Sequence, residues 1–290
     1  MWTVESLEKQ VVWLEDIVVE AGKTSRHEVA FERGTLLVTA TNAGQERPPG
    51  TFEFRIYRSG DEQLEIVDEG VGGEPLGLRT GRYDVEISFA HSNDKPARWR
   101  RGIEIRANET RKEVVDFSSG QLLVHAQLPD GQRLESFRVY VYYYRAGDHR
   151  EPLAYTPAGE TAILESGVYD VRAQFFRSHD RPDKWLRDIS IRPGETVQRT
   201  VTFSSGWLAV QVYDTEGNEL IGDNTLVSVH AVGERTLPVA KANAGEQIVL
   251  TAGEYDVHVE DTRRPGSEVW GSRIAVAPGK LSESSVTMGE

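Results

Sequence analysis

Leu164-Glu165-Ser166-Gly167-Val168-Tyr169-Asp170-Val171 is the stretch on which the reading of this chain turns. The same order of leucine, glycine, tyrosine and valine stands at Leu78-Arg79-Thr80-Gly81-Arg82-Tyr83-Asp84-Val85 and at Leu250-Thr251-Ala252-Gly253-Glu254-Tyr255-Asp256-Val257. Gly81, Gly167 and Gly253 are 86 residues apart each time, and so are Gly34, Gly120 and Gly206. Trp13, Trp99 and Trp185 keep that spacing, and Trp270 follows after 85. A period of this length marks a repeated unit that buries its own apolar face or leans on its neighbours.

Within the stretch the side chains alternate. Tyr83, Val85, Ile87 and Phe89 point one way, while Asp84, Glu86 and Ser88 point the other; Tyr169, Val171, Ala173 and Phe175, then Tyr255, Val257 and Val259, repeat the apolar face. Upstream lies a β-rich run at residues 35–40, 122–127 and 208–213, each closed by a turn signal: Thr41-Asn42-Ala43-Gly44, Pro129-Asp130-Gly131 and Asp214-Thr215-Glu216-Gly217. A second alternating strand follows (Phe52, Phe54, Ile56; Phe137, Val139, Val141, Tyr143; Val227, Val229, Ala231). Downstream, Ile103, Ile105, Val114 and Phe117 recur as Ile189, Ile191, Val201 and Phe203, and as Ile274, Val276, Val286 and Met288. Helical periodicity is absent, and residues 5–20 are read as strand by alignment with the later units.

The expected fold is all-β: a tandem array of seven-stranded Ig-like or prealbumin-like β-sandwiches with a period of about 86 residues. The expected boundaries are 34–119, 120–205 and 206–290. Residues 1–33 align with 87–119 and supply the C-terminal strands of an incomplete upstream repeat. Joints as short as Ser118-Ser119-Gly120-Gln121 leave adjacent units little freedom. The orphan strands at the front are either part of an excised array or an edge that pairs with another copy.

The stretch at 164–171, with Val124 and Asp130-Gly131-Gln132-Arg133-Leu134 before it, resembles the carboxypeptidase-regulatory-like, prealbumin-like β-sandwich family. It is similar to the tandem arrays found beside von Willebrand factor type A domains in bacterial surface proteins. The first unit departs from the pattern, with Thr41-Asn42-Ala43-Gly44 where the family has an Asp-Gly turn. The resemblance implies spacers, stalks and interaction domains rather than catalysts. The repeated glycine is expected to take a positive φ in a tight turn, with the tyrosine hydroxyl bonding back to that turn.

Composition narrows the function. Lys and Arg number 33 against 46 Asp and Glu, a formal charge of −13, which disfavours a nucleic-acid partner. With no cysteine there is neither a disulfide nor a thiolate metal site. No apolar run approaches the ~20 residues that span a bilayer, so no membrane insertion is expected within the chain, and no targeting segment is found in it. Nucleophile-elbow, His-Glu-x-x-His and phosphate-loop patterns are absent, so neither catalytic residues nor a cofactor is expected.

Three sets of residues are weighed as sites. Tyr140, Tyr142 and Tyr144 fall opposite Val139, Val141 and Tyr143 and form an outward stripe fit for a protein partner or a neighbouring copy. Trp99, Trp185 and Trp270 could stack on a glycan, but packing at a sandwich edge is favoured, with Arg101 and Arg187 placed for cation–π contact. The loops before each Trp (His91, Asn93, Asp94; His179, Asp180, Asp183; Glu260, Asp261) are read as solvated polar loops rather than calcium sites, because no Asp-x-Asp-x-Asp-Gly spacing appears.

The expected function is a non-catalytic structural or adhesive stalk or interaction segment of a bacterial surface or secreted protein, located outside the cell, on its surface or in the periplasm. Self-association by strand addition belongs to that reading. The alternatives are a carbohydrate-binding module array and a partner-docking accessory segment of a von Willebrand factor type A protein.

Overall fold

The computed structural model describes residues 13–29, 32–60, 63–134, 138–264 and 266–289, and all the regular structure among them is β-strand. The chain divides into two compact units. The first runs through Gln121 and takes in Ile163–Gly167 and Ile191–Glu195; the second is the remainder.

The first unit opens with β1 (Arg33–Asn42), β2 (Gln45–Glu46), β3 (Glu53–Arg58) and β4 (Ile66–Val71). It continues with β5 (Pro75–Arg79), β6 (Gly81–Ser88), β7 (Ala97–Ile105) and β8 (Thr110–Asp116). One sheet has the order β2-β1-β5 with β8 on the other side of β1, and the second has the order β4-β3-β6-β7. Leu36 and Val38 of β1, Leu76 and Leu78 of β5, Phe54 and Ile56 of β3, and Tyr83, Val85 and Ile87 of β6 meet in one core, so the two sheets form a β-sandwich. Alternation explains this, because every second residue of each strand is apolar and only that face can be withdrawn from water. At the far end of the core it is Val115, not the expected Val114, that turns inward; Val114 lies on the exposed face of β8.

The chain continues through β9 (Ser119–Gln127), β10 (Val139–Arg145), β11 (Ala154–Pro157), β12 (Thr161–Glu165), β13 (Gly167–Phe175), β14 (Asp183–Ile191) and β15 (Thr196–Thr202). These strands form sheets of order β12-β9-β15 and β11-β10-β13-β14. Last come β16 (Ser205–Tyr213), β17 (Gly222–Ala231), β18 (Ala240–Ala244), β19 (Gln247–Thr251), β20 (Gly253–Asp261), β21 (Glu268–Val276) and β22 (Leu281–Thr287). Their sheets, β19-β16-β22 and β18-β17-β20-β21, enclose Leu208, Val210, Val227, Val229, Leu250, Val257 and Val259.

β1 pairs with β8, and β16 with β22, in parallel over seven residues each. At the head of these ladders two backbones cross closely. A Cβ on Gly34 would lie 2.2 Å from the Arg106 carbonyl oxygen, on Gly120 2.4 Å from that of Arg192, and on Gly206 2.0 Å from that of Ala277. Thr35 N–H donates to Glu109 O at 2.8 Å, Gln121 N–H to Glu195 O at 2.7 Å and Trp207 N–H to Lys280 O at 2.9 Å, so the approach is bonded in place. Only glycine fits there.

Two expectations need correction. Residues 13–29 carry no strand, and Trp13 is 84% exposed; no strand among the described residues pairs with this segment, so its apolar side chains have nothing to pack beneath them. The remainder of the 5–20 segment read as strand lies outside the described residues. The repeated glycine of the tyrosine motif takes positive φ in the first unit, where Gly81 is at 155°, but neither Gly167 nor Gly253 does, so the motif does not depend on that conformation. The tyrosine latch is present without it. Tyr83 OH donates to Arg79 O at 3.1 Å and Tyr255 OH to Thr251 O at 2.7 Å, each reaching the residue four positions back.

Candidate protein interface

Tyr140 and Tyr142 sit on the outer face of β10, half-buried, above the inward Val139, Val141 and Tyr143. β11 pairs beside them with Tyr142 opposite Tyr155, and Tyr155 is 63% exposed. The Tyr155 ring lies 6.0 Å from that of Tyr142 and 6.2 Å from that of Tyr140, while Phe176, 47% exposed, meets Tyr140 edge-on at 6.2 Å. Arg172 covers Tyr142 at 4.9 Å and Arg181 covers Phe176 at 4.7 Å. The result is an aromatic row flanked by cations, the composition that marks protein interfaces.

Tyr155 and Phe176 were not singled out in the sequence. The signal for Tyr155 was there: Thr156 is the inward residue of β11, so its neighbour must face out.

Tyr144 does not belong to the row. It is 3% exposed, with Trp185 at 5.3 Å and His149 at 5.9 Å from its ring. The physical reason is that Trp185 of β14 reaches across the sheet and covers it.

The other tryptophans do the same. Trp99 packs on Tyr57 at 5.2 Å, and Trp270 on His230 at 5.0 Å and His258 at 4.7 Å. All three are half-buried. Arg101 lies 5.1 Å over Trp99, Arg187 4.1 Å over Trp185 and Arg235 4.8 Å over Trp270, so an arginine covers each indole. His230 is pushed below its usual pKa by burial first and by the neighbouring His258 second.

What holds these edge strands in place is an aspartate that alternation alone assigns to the outer, polar face. Asp84, Asp170 and Asp256 are each buried. A bulge displaces the neighbouring strand at Tyr83/Val85 and again at Tyr255/Val257. The residue across from the aspartate takes positive φ: Gly102 at 66°, Asp188 at 55° and Arg273 at 56°. Its N–H donates to the carboxylate, at 2.8 Å for Asp84, 3.0 Å for Asp170 and 3.1 Å for Asp256. The same carboxylate also gathers the preceding turn, accepting from Ser59 Oγ at 2.8 Å, Gly147 N–H at 3.2 Å and Gly233 N–H at 2.9 Å. Burial alone would raise the Asp170 pKa, but the N–H groups of Asp188 and Gly147, the His149 imidazole and the Arg187 guanidinium together hold it far below the usual carboxylate range.

The polar loops are also occupied. In the first unit, Ser92 Oγ and Asn93 N–H donate to Ile163 O at 3.0 and 2.8 Å, Ile163 N–H donates to Asn93 Oδ1 at 2.7 Å, and Glu165 N–H donates to the Asp94 carboxylate at 3.1 Å. Arg98 pairs with Glu165 beside them. In the second unit, Ser178 Oγ and His179 N–H donate to Val249 O at 3.2 and 2.9 Å, Val249 N–H donates to His179 Nδ1 at 3.1 Å, and Thr251 N–H donates to Asp180 at 2.9 Å. These loops cap the free edges of β12 and β19. Among the described residues no three His, Cys, Asp or Glu side chains come together as a metal site.

The described residues form an all-β arrangement of packed sheets with a partly exposed aromatic row on one outer face. No protein-family model matches the chain, and no curated protein matches it. Solved structures similar in arrangement include the Bacillus anthracis TIE protein (14% identity, 89% of this chain and 51% of that one, TM-score 0.25). A streptococcal ancillary pilin (12%, 89% and 99%, 0.34) and BcpA, the major pilin subunit of Bacillus cereus (8%, 89% and 99%, 0.23), are similar in the same way. The chain thus spans about half the length of the TIE protein.

Proposed function

We propose that the chain is a non-catalytic stalk or adhesive segment of a bacterial surface or secreted protein. In this reading it is built from sandwich modules of about 86 residues at 34–119, 120–205 and 206–290, preceded at 1–33 by a segment that matches the end of a module in sequence alone. The observation that carries the reading is the loop-to-strand clamp. The same Ser-x-Asp loop caps the next strand edge twice, at 92–94 and 178–180, with two or more bonds to one backbone carbonyl and one to a backbone N–H two residues on. Such contacts resist bending where a flexible linker would not. Small-angle scattering of the chain against the Asp94→Ala, Asp180→Ala double variant tests this. The double variant is expected to broaden the distance distribution, and an unchanged profile would remove the support.

The partner surface is the row of Tyr140, Tyr142, Tyr155 and Phe176, and its occupant is a protein. Tyr142→Ser is expected to lower affinity for that partner by about 1 to 2 kcal/mol, because aromatic residues dominate interface energetics, while leaving the urea midpoint of the chain unchanged. Equal binding by the variant would count against the row. The glycan reading is less well supported, because an arginine already lies over each indole. If sugars did bind, Trp185 emission should shift on a soluble glycan panel; no shift is expected. A von Willebrand-associated docking role would use the same row and the same test.

A further inference from the structure

β3, β10 and β17 take the same place in their sheets, one strand in from the edge. The outer face around each carries a different chemistry. Arg55 of β3 lies opposite Glu69 and Glu86, Tyr142 of β10 opposite Tyr155 and Arg172, and Ser228 of β17 opposite Lys241 and His258. Alternation turns all of these away from the core, so packing does not dictate what stands there. Around β3 the face is acidic, with Glu53, Glu69 and Glu86 beside Arg55. Around β10 it is the aromatic row with Arg172 and Arg181.

The acidic face is also hollow. A groove of about 330 Å³ lies among Glu53, Arg55, Glu69, Gly70, Val71 and Ser88. A cavity of about 150 Å³ already takes a benzene ring, so an aromatic side chain fits, and the exposed Val71 gives it an apolar wall. Two of the lining residues are carboxylates, and the Arg55 guanidinium between them lies 4.0 Å from a third, Glu86. On the β10 face Tyr155 is the most exposed ring of the row, beside Tyr142 with Arg172 above it at 4.9 Å.

We propose that these two faces are each other's partners. Tyr155 of one copy of the chain enters the β3–β4 groove of a second copy, where Glu53 and Glu69 meet Arg172 and Arg181 of the incoming face. The inference rests on the reading of the row as a protein-contact surface and names the protein. A chain with a charge of −13 repels its own copies except where a cationic surface faces an acidic one, and these faces supply that match. Because the two faces differ, the contact is heterologous: two copies close on each other through both faces, or the contact repeats as a filament.

Sedimentation of the whole chain over a wide concentration range tests the docking. Mass is expected to rise with concentration. Tyr155→Ser and Glu69→Arg should each weaken association roughly tenfold or more, as loss of a central interface residue does, with the urea midpoint unchanged because both side chains are exposed. Each variant keeps one face intact. Mixed in equal amounts they should form one-to-one pairs and nothing larger, through the groove of the first and the row of the second. A monomer at every concentration, or mixed variants that stay single, would overturn the docking and leave the row to a different protein. Association lost in Tyr155→Ser but kept in Glu69→Arg would likewise overturn the groove and spare the row. Association that survives both Tyr155→Ser and Tyr142→Ser would remove the row reading as well.

Discussion

Gly206→Ala is expected to destabilise the sandwich of β16–β22 by about 3 kcal/mol, at the upper end of what overpacking costs. The added methyl would lie 2.0 Å from the Ala277 carbonyl oxygen and 3.1 Å from that of Lys280. Both are main-chain atoms, and neither can turn aside as the end of a side chain could. The Trp207 N–H is bonded to Lys280 O at 2.9 Å and the Gly279 N–H to Ser205 O at 2.8 Å, so relief would break bonds on both sides of the glycine. Urea denaturation followed by tryptophan emission measures the loss, since Trp207 and Trp270 both belong to this sandwich. Gly77→Ala is the control: open space surrounds that position, and an effect within about 0.5 kcal/mol is expected, as for a surface substitution away from special features. Equal effects at the two positions would refute the close-approach account.

Asp170→Ala ranks second, at about 2 to 3 kcal/mol. The carboxylate accepts from the Asp188 and Gly147 N–H groups, from His149 at 2.6 Å and from Arg187 at 3.1 Å. Removing it leaves two backbone donors without their acceptor at a 4%-exposed site. The figure is kept modest because Arg187 is partly solvated and contributes less than a buried partner would. The pH dependence has a definite sign. The folded pKa is depressed, so the unfolded chain binds a proton first as acid is added. The stabilisation is complete above the unfolded value near 3.8 and is lost as pH falls through the folded value. Asp170→Asn should therefore flatten the fall in stability below about pH 4, as seen in urea midpoints taken across that range. A variant as acid-sensitive as the parent would show that other carboxylates dominate.

Much of the strand content was legible because period-two alternation is a strong signal wherever one face is buried. Tyr83, Val85 and Ile87, or Val139, Val141 and Tyr143, announce their inner face without help from the structure, and they lie there fully buried. The outer face was less legible. Alternation places Asp84, Asp170 and Asp256 on the outer face among solvated residues, since the N–H groups that hold them, of Gly102, Asp188 and Arg273, belong to the neighbouring strand and leave no mark on their own. The recurring Tyr-Asp-Val was the available clue. Tyr144 was misassigned for a related reason: its cover, Trp185, lies 41 residues later on another strand. The loops at 92–94 and 178–180 looked like ordinary polar turns because their acceptors and donors are backbone atoms, which any sequence supplies. Residues 13–29 show the limit of alignment, for a matching pattern makes no strand where no strand among the described residues pairs with it.

The parallel pairing of β1 with β8 and of β16 with β22 has a mechanical consequence. In each sandwich the chain enters at the head of the first strand and leaves at the foot of the last, and parallel strands put those two points at opposite ends of one seven-residue ladder. Tension along the polypeptide therefore loads the ladder's hydrogen bonds together, in shear, instead of opening them one after another like a zip. The close crossings at Gly34 and Gly206 sit where that tension enters. A pulling experiment on the chain should accordingly show high, discrete rupture peaks, and Gly206→Ala should lower one of them.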